Sequence, residues 1–409
     1  MRLENRLLLF VFASSFVISF AGAHEALADK IGASNLPRPA PGLKGRINDA
    51  DGATSAAVLG GSLGFTSNAG PTLAEVPSAF HDRAFGYAHV FSTPLGRLDL
   101  GLNLSERRYV SFQDANERVA SLAMSLSKDW AGQQTLLAFA TSAGRDVEER
   151  LGETSVSLSH AWTSGRLRPY LKAETALLDY RDLPDPFQPS GNQDDRDRLS
   201  SRLQAGMRMT LTEHVELELG GGVDTKHYLT RTDDFGVRRG SVSLFPAIGL
   251  AYTGETGTLR GLYMPFWRDF RDDLFADGWH HGYAVEGEMK LSDTLKAFAS
   301  ARYGFEETDF LIASAAYESV AIAGVVWTVG KGTLSLAASQ TRRSYDDLDL
   351  VALARFDEKF EVALSGEMPL VGDLSLNGRI GYLDYRSSFG DIRTDAFTAA
   401  IGLTYAVAQ

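Results

Sequence analysis

The sequence predicts an all-β chain that folds as a transmembrane antiparallel up-and-down β-barrel of about 18 strands (16–18). Three observations predict it. Stretches of about 12–16 residues alternate apolar and polar side chains. The connections between them alternate short and long. An export leader precedes the array, and the chain has no cysteine.

The leader comes first. Arg2 and Arg6 make a basic start, and Leu7 to Phe20 form an apolar run too short to span a membrane as a helix. Ala21-Gly22-Ala23 is a small-residue cleavage site, with Ala26-Leu27-Ala28 as the alternative. Residues 1–23 therefore read as a signal peptide cleaved after Ala23, alternatively after Ala28. Residues 24–53 read as a flexible periplasmic leader, because Pro37, Pro39 and Pro41 stand among Gly, Ser, Asn and Asp with little to bury. Residues 54–409 keep one texture and read as a single outer-membrane barrel domain. Without cysteine there is no lipid anchor, disulfide framework or thiolate site. A formal charge of −12 argues against nucleic acid as a partner.

Strands are expected near 56–66, 83–91, 95–109, 117–129, 133–145, 152–163, 167–181, 198–212 and 214–228. They continue near 238–253, 257–268, 279–292, 294–306, 311–328, 332–344, 350–369, 374–386 and 395–407. The run from 95 shows why. Leu98, Leu100, Leu102 and Leu104 share one face, while Arg97, Asp99, Asn103 and Arg107 share the other. Leu203, Ala205, Met207 and Met209 alternate with Arg202, Gln204 and Arg208. Val215, Leu217 and Leu219 alternate with Glu216, Glu218, Asp224 and Lys226. A helix would spread those charges around its circumference, whereas a strand gathers them on one side.

Short connections lie near Thr93-Pro94, Ala131-Gly132, Ser164-Gly165, Thr212-Glu213, 254–257, Ser292-Asp293, Gly330-Lys331 and Val371-Gly372. Longer ones lie between them. Strict alternation puts the short turns on one edge and the long loops on the other, and an even strand number returns both termini to the periplasm. An aromatic girdle is expected at the two edges. Trp130, Trp162, Trp327 and Tyr405 stand near short turns, and Trp267, Trp279, Tyr109 and Tyr228 near long loops. In the last strand Phe397, Ile401, Leu403, Tyr405 and Val407 alternate with small or polar residues, the pattern read by the barrel insertion machinery.

The chain resembles the outer-membrane β-barrel porins of proteobacteria of the type called beta-barrel porin 2. The resemblance rests on Leu59-Gly-Gly-Ser-Leu-Gly-Phe-Thr-Ser-Asn68, on strand ends such as Arg343-Ser-Tyr345 and Tyr382-Leu-Asp-Tyr-Arg386, and on the terminal strand. It covers most of the chain after residue 54. It implies an outer-membrane barrel, for some members a link to surface polysaccharide, and no catalytic residues.

The polar faces predict a charged interior. The expected lumen-lining residues are Arg97, Asp99, Lys172, Glu174, Arg202, Arg208, Glu216, Glu218, Asp224, Lys226, Arg260, Glu286, Glu288, Lys290, Lys296, Arg302 and Arg379. Such an interior is either wet or cross-paired, because a dry unpaired charge costs several kcal/mol. No catalytic residue, cofactor or metal is expected. Gly60-Gly-Ser-Leu-Gly64 has the G-x-S-x-G spacing but lies in a strand, not at a strand-to-helix elbow. His280-His281 point to opposite faces and make a poor chelating pair, and His160 has no partner spacing. Acidic stretches occur in 182–198 and 269–277. The expected function is a porin-like channel for small hydrophilic solutes, in contact with outer-membrane lipid and lipopolysaccharide. The alternatives are a component of polysaccharide export or surface assembly, and a non-conducting barrel or barrel hydrolase.

Overall fold

The computed structural model describes residues 55–408, apart from 70–76, 112–115, 146–149, 182–196, 233–235, 273–274, 276, 308–314, 346–355 and 389–391. The expected signal peptide and leader lie outside the described residues. The strands are β1 (Ser55–Thr66), β2 (Ser78–Thr93), β3 (Gly96–Tyr109), β4 (Glu117–Trp130), β5 (Gln133–Arg145) and β6 (Arg150–Trp162). Then come β7 (Leu167–Arg181), β8 (Arg198–Thr210), β9 (Val215–Tyr228), β10 (Ser241–Thr253), β11 (Gly257–Phe270) and β12 (Gly278–Lys290). The last six are β13 (Leu295–Glu307), β14 (Ala315–Val329), β15 (Gly332–Tyr345), β16 (Phe356–Val371), β17 (Leu374–Ser387) and β18 (Ile392–Ala408).

Each strand pairs antiparallel with its neighbours in sequence, and β1 pairs with β18 from Ala56↔Ala408 to Thr66↔Thr398. The 18-stranded sheet therefore closes on itself and leaves no edge. Short turns gather at one end and long loops at the other, as the alternation predicts. The turn between β4 and β5 is Ala131-Gly132 alone, with φ of 36° and 86°. A two-residue hairpin needs both residues in that left-handed region.

The two faces differ as the period-2 reading requires. In β10, Ser241, Ser243, Phe245, Ala247 and Gly249 are buried on the inside, while Val242, Leu244, Ile248 and Leu250 are exposed on the outside. Leu59, Leu104, Leu158, Leu203, Leu364 and Ile401 extend this apolar outer surface around the wall. Among the described residues, the buried side chains include as many charged and polar residues as apolar ones, and buried apolar residues gather in small separate clusters.

Strand ends depart from expectation where both faces turn polar. β2 begins at Ser78, not 83, because Asp82 and Phe80 are wall residues paired to Arg107 and Tyr109. The run His81-Asp82-Arg83 hides this from any apolar alternation. The expected starts at 311 and 350 lie outside the described residues.

Candidate functional site

All seventeen expected lumen residues project to the inner face, as register fixes their side. Arg97 opposes Ser127, and Asp99 opposes Ser125. Lys172 and Glu174 oppose Gln204 and Arg202. Arg202 and Arg208 oppose Asp224 and Glu218. Lys226 and Glu216 oppose the inward Ser241 and Ala251. Arg260 opposes Glu286, and Glu288 opposes Thr258. Lys290 opposes Lys296, and Arg302 opposes Ala284. Arg379 opposes Ser365.

The structure brings part of this set into one network in the short-turn half, from β7 to β11. Arg168 donates to Glu216, and Arg208 lies 3.9 Å from Glu216 and 3.5 Å from Glu218. Arg260 Nη2 donates to Glu218 Oε2 at 2.9 Å, reaching from β11 to β9 across β10. The bridge is possible because Gly249 of β10 lies between them and presents no side chain. Tyr170 completes the network: its hydroxyl donates to Glu218 Oε1 at 2.9 Å and accepts from Gln204 at 3.1 Å. Its hydroxyl end sits over two glycines, since a Cβ on Gly206 or Gly220 would meet the hydroxyl at 2.5 or 2.8 Å. Arg168 and Tyr170 escape a reading by apolar alternation, but both share parity with Lys172 and Glu174 on β7. Tyr170→Phe should cost about 1 kcal/mol for the lost hydrogen bond. Tyr170→Ala should cost about 3 kcal/mol, as loss of a packed ring does. Urea titration of the refolded barrel in vesicles measures both, and equal costs would show that the ring does not brace the wall.

Access to the inner charges falls from the short-turn end to the long-loop end. Near the turns, the side chains of Arg97, Lys296 and Glu288 are 48%, 60% and 52% exposed. Near the loops, Glu318 is 2% exposed between Arg302 and Arg343, and Asp82 is 4% exposed beside Arg107. Arg107 grips Asp82 through Nε at 2.8 Å and Nη2 at 3.0 Å, and its guanidinium sits 4.3 Å over the Phe80 ring. At these depths an ion survives only with a partner.

The aromatic expectation is corrected at two positions. Trp130, Trp162, Trp327 and Tyr405 stand exposed on the outer face near the short turns, and Trp267 and Trp279 near a long loop. Tyr109 and Tyr228 do not join them. Tyr109 faces inward, is buried, and donates to Glu117 Oε1 at 3.2 Å. Tyr228 faces inward opposite Arg198, whose guanidinium lies 5.9 Å from its ring. Both follow the parity of the charges two residues before them, Arg107 and Lys226.

The catalytic look-alikes have structural partners. Ser62 Oγ donates to Asp82 Oδ2 at 2.9 Å, and that carboxylate is already held by Arg107. His160 faces outward on Thr135 Oγ1 at 2.9 Å, and His281 faces outward on the Tyr263 hydroxyl at 2.9 Å. Among the described residues no three His, Asp or Glu side chains gather as a metal site. The described loop acids hold backbone: Asp197 accepts from Tyr180 N at 2.6 Å, Asp272 from Arg238 N at 3.0 Å, and Asp277 from Phe270 N at 2.7 Å.

No family model matches the chain, and no curated relative does. Among solved structures it is similar to Pseudomonas aeruginosa OpdL, with 11% identity, TM-score 0.46, and 88% of this chain and 99% of that chain covered. It is similar to P. aeruginosa OccK8 (OprE), with 11% identity, TM-score 0.48, and 88% and 99% covered. It is also similar to P. aeruginosa OpdK, solved with vanillate, with 11% identity, TM-score 0.48, and 87% and 99% covered. Likenesses of this degree assign neither family nor cargo.

Proposed function

We propose that this barrel is an outer-membrane channel for small hydrophilic solutes, with both termini at the periplasmic edge. One observation carries the reading: the inward Arg97, Glu288 and Lys296 near the short turns are about half exposed although the barrel is closed and its outer face is apolar. Charges so placed are hydrated from within, and eighteen strands leave room for water between the walls. Signs are mixed, so the interior favours polar solutes over either ion class outright. The outer surface suits lipid, and the exposed Phe397, Ile401, Leu403 and Tyr405 of β18 suit the insertion machinery. At the loop end, Arg108 and Arg118 share Glu106, and Arg386 and Arg393 share Asp384, all on the outer face, where lipopolysaccharide phosphates would lie.

Liposome swelling tests the reading. Vesicles carrying the refolded protein should swell in isosmotic arabinose or glycine and not in a large dextran. Swelling no faster than empty vesicles, with the barrel shown to be folded by its altered gel mobility before boiling, would overturn it.

A further inference from the structure

The wall is not uniformly laced. At the long-loop end, β12 and β13 share their last rung at Tyr283↔Tyr303, yet β12 runs on to Gly278 and β13 to Glu307. Among the described residues no other pair of neighbouring strands runs on together past its last rung at that end. One strand further, β10 and β11 lack rungs between Leu244↔Trp267 and Ile248↔Tyr263, where Pro246 and Pro265 face each other without N–H groups.

Side chains fill the β12–β13 seam. Phe305 has the parity of the outward Tyr303 but is buried, packing on Phe266 at 5.9 Å and on the His280 ring at 4.1 Å. Tyr317 joins the faces: its ring stacks on Tyr303 at 5.7 Å, and its hydroxyl lies 2.8 Å from His280 Nδ1. Tyr283 and Tyr303 stack at 4.9 Å over the outer mouth. At the inner mouth the Arg268 guanidinium lies 4.6 Å over Phe305 and 5.4 Å over Phe266.

His280 gives the slot its chemistry. It is 8% exposed, and its Nε2 is buried with no hydrogen-bond partner. In the tautomer whose Nδ1 accepts from the Tyr317 hydroxyl, the proton of the neutral ring sits on Nε2, a dry donor with no acceptor. Leaving such a group unmet is costly, so a bound acceptor is favoured.

We propose that the long-loop half of the β12–β13 seam is a lateral binding slot for a single-chain amphipathic carboxylate. The apolar chain enters from the lipid side by parting the stacked Tyr283 and Tyr303 rings and packs on Phe305 and Phe266. The carboxylate accepts from His280 Nε2 and faces Arg268. This reading is independent of the channel reading, since the slot would fill from the membrane whether or not the lumen conducts.

The probe is cis-parinaric acid, which accepts excitation energy from tryptophan. Trp267 and Trp279 stand at the seam, whereas Trp130, Trp162 and Trp327 lie at the opposite end. Saturable energy transfer is expected, and it should fall severalfold in the Trp267→Phe/Trp279→Phe protein. The methyl ester should bind at least tenfold more weakly, and His280→Phe should weaken the acid by a similar factor without affecting the ester. The chain has no cysteine, so a Gly282→Cys/Gly304→Cys pair can be bridged chemically after folding, and bridging should slow uptake. Equal binding of acid and ester, or unchanged uptake after bridging, would overturn the proposal. So would displacement of the probe by phosphatidic acid but not by oleate, which would assign the slot to lipid phosphate.

Discussion

Replacing Glu216 and Glu218 together by Gln should move the zero-current potential of the barrel in a salt gradient toward anion preference. These carboxylates are the acid half of a network whose basic half is Arg168, Arg208 and Arg260. Their removal leaves three guanidiniums facing the inner surface, with Glu286 opposite Arg260. A unit charge about 6 Å from a hydrated ion contributes about 0.7 kcal/mol, so removing two disfavours cations about tenfold and favours anions about tenfold, which changes the cation-to-anion permeability ratio about a hundredfold. The side chains are isosteric and the Tyr170 hydroxyl can still donate to the amide oxygen, so the wall should hold. An unchanged reversal potential would show that the network stiffens the wall and does not face the ion path.

The second large effect is on stability. Asp82→Asn should cost about 3–5 kcal/mol, because it removes the carboxylate that holds the buried Arg107 guanidinium through two hydrogen bonds. Asp82 also accepts from Ser62, so the change loosens β1, β2 and β3 together beside the β1–β18 closure. The double variant Asp82→Leu/Arg107→Met should recover part of the loss, since the buried pair is removed together while Glu117, opposite Arg107 on β4, stays. Urea unfolding of the native protein, Asp82→Leu, Arg107→Met and the double variant in vesicles measures the cycle. Additive single and double effects would show that the pair is not coupled.

The sequence made the wall legible because a strand between lipid and water must alternate. Leu98 to Leu104 and Leu203 to Met209 could be read directly, and the charges between them fell on the inner face. Alternation weakens where the wall leaves the lipid, so His81-Asp82-Arg83 was not legible as strand. Tyr109 and Tyr228 were misplaced by residue type although parity with Arg107 and Lys226 gave their side. Contacts across strands were not legible. That Arg260 reaches Glu218 depends on the β9–β10–β11 register and on Gly249, and no single strand records either. The unlaced β12–β13 seam was likewise invisible, because its strands have ordinary patterns and only their pairing fails.

The central claim is a water-filled passage through the barrel, and single-channel recording in planar bilayers tests it most directly. The purified protein should insert with discrete, ohmic conductance steps whose reversal potential responds to Glu216→Gln/Glu218→Gln. Bilayers that stay silent across many insertions of folded protein would contradict the account.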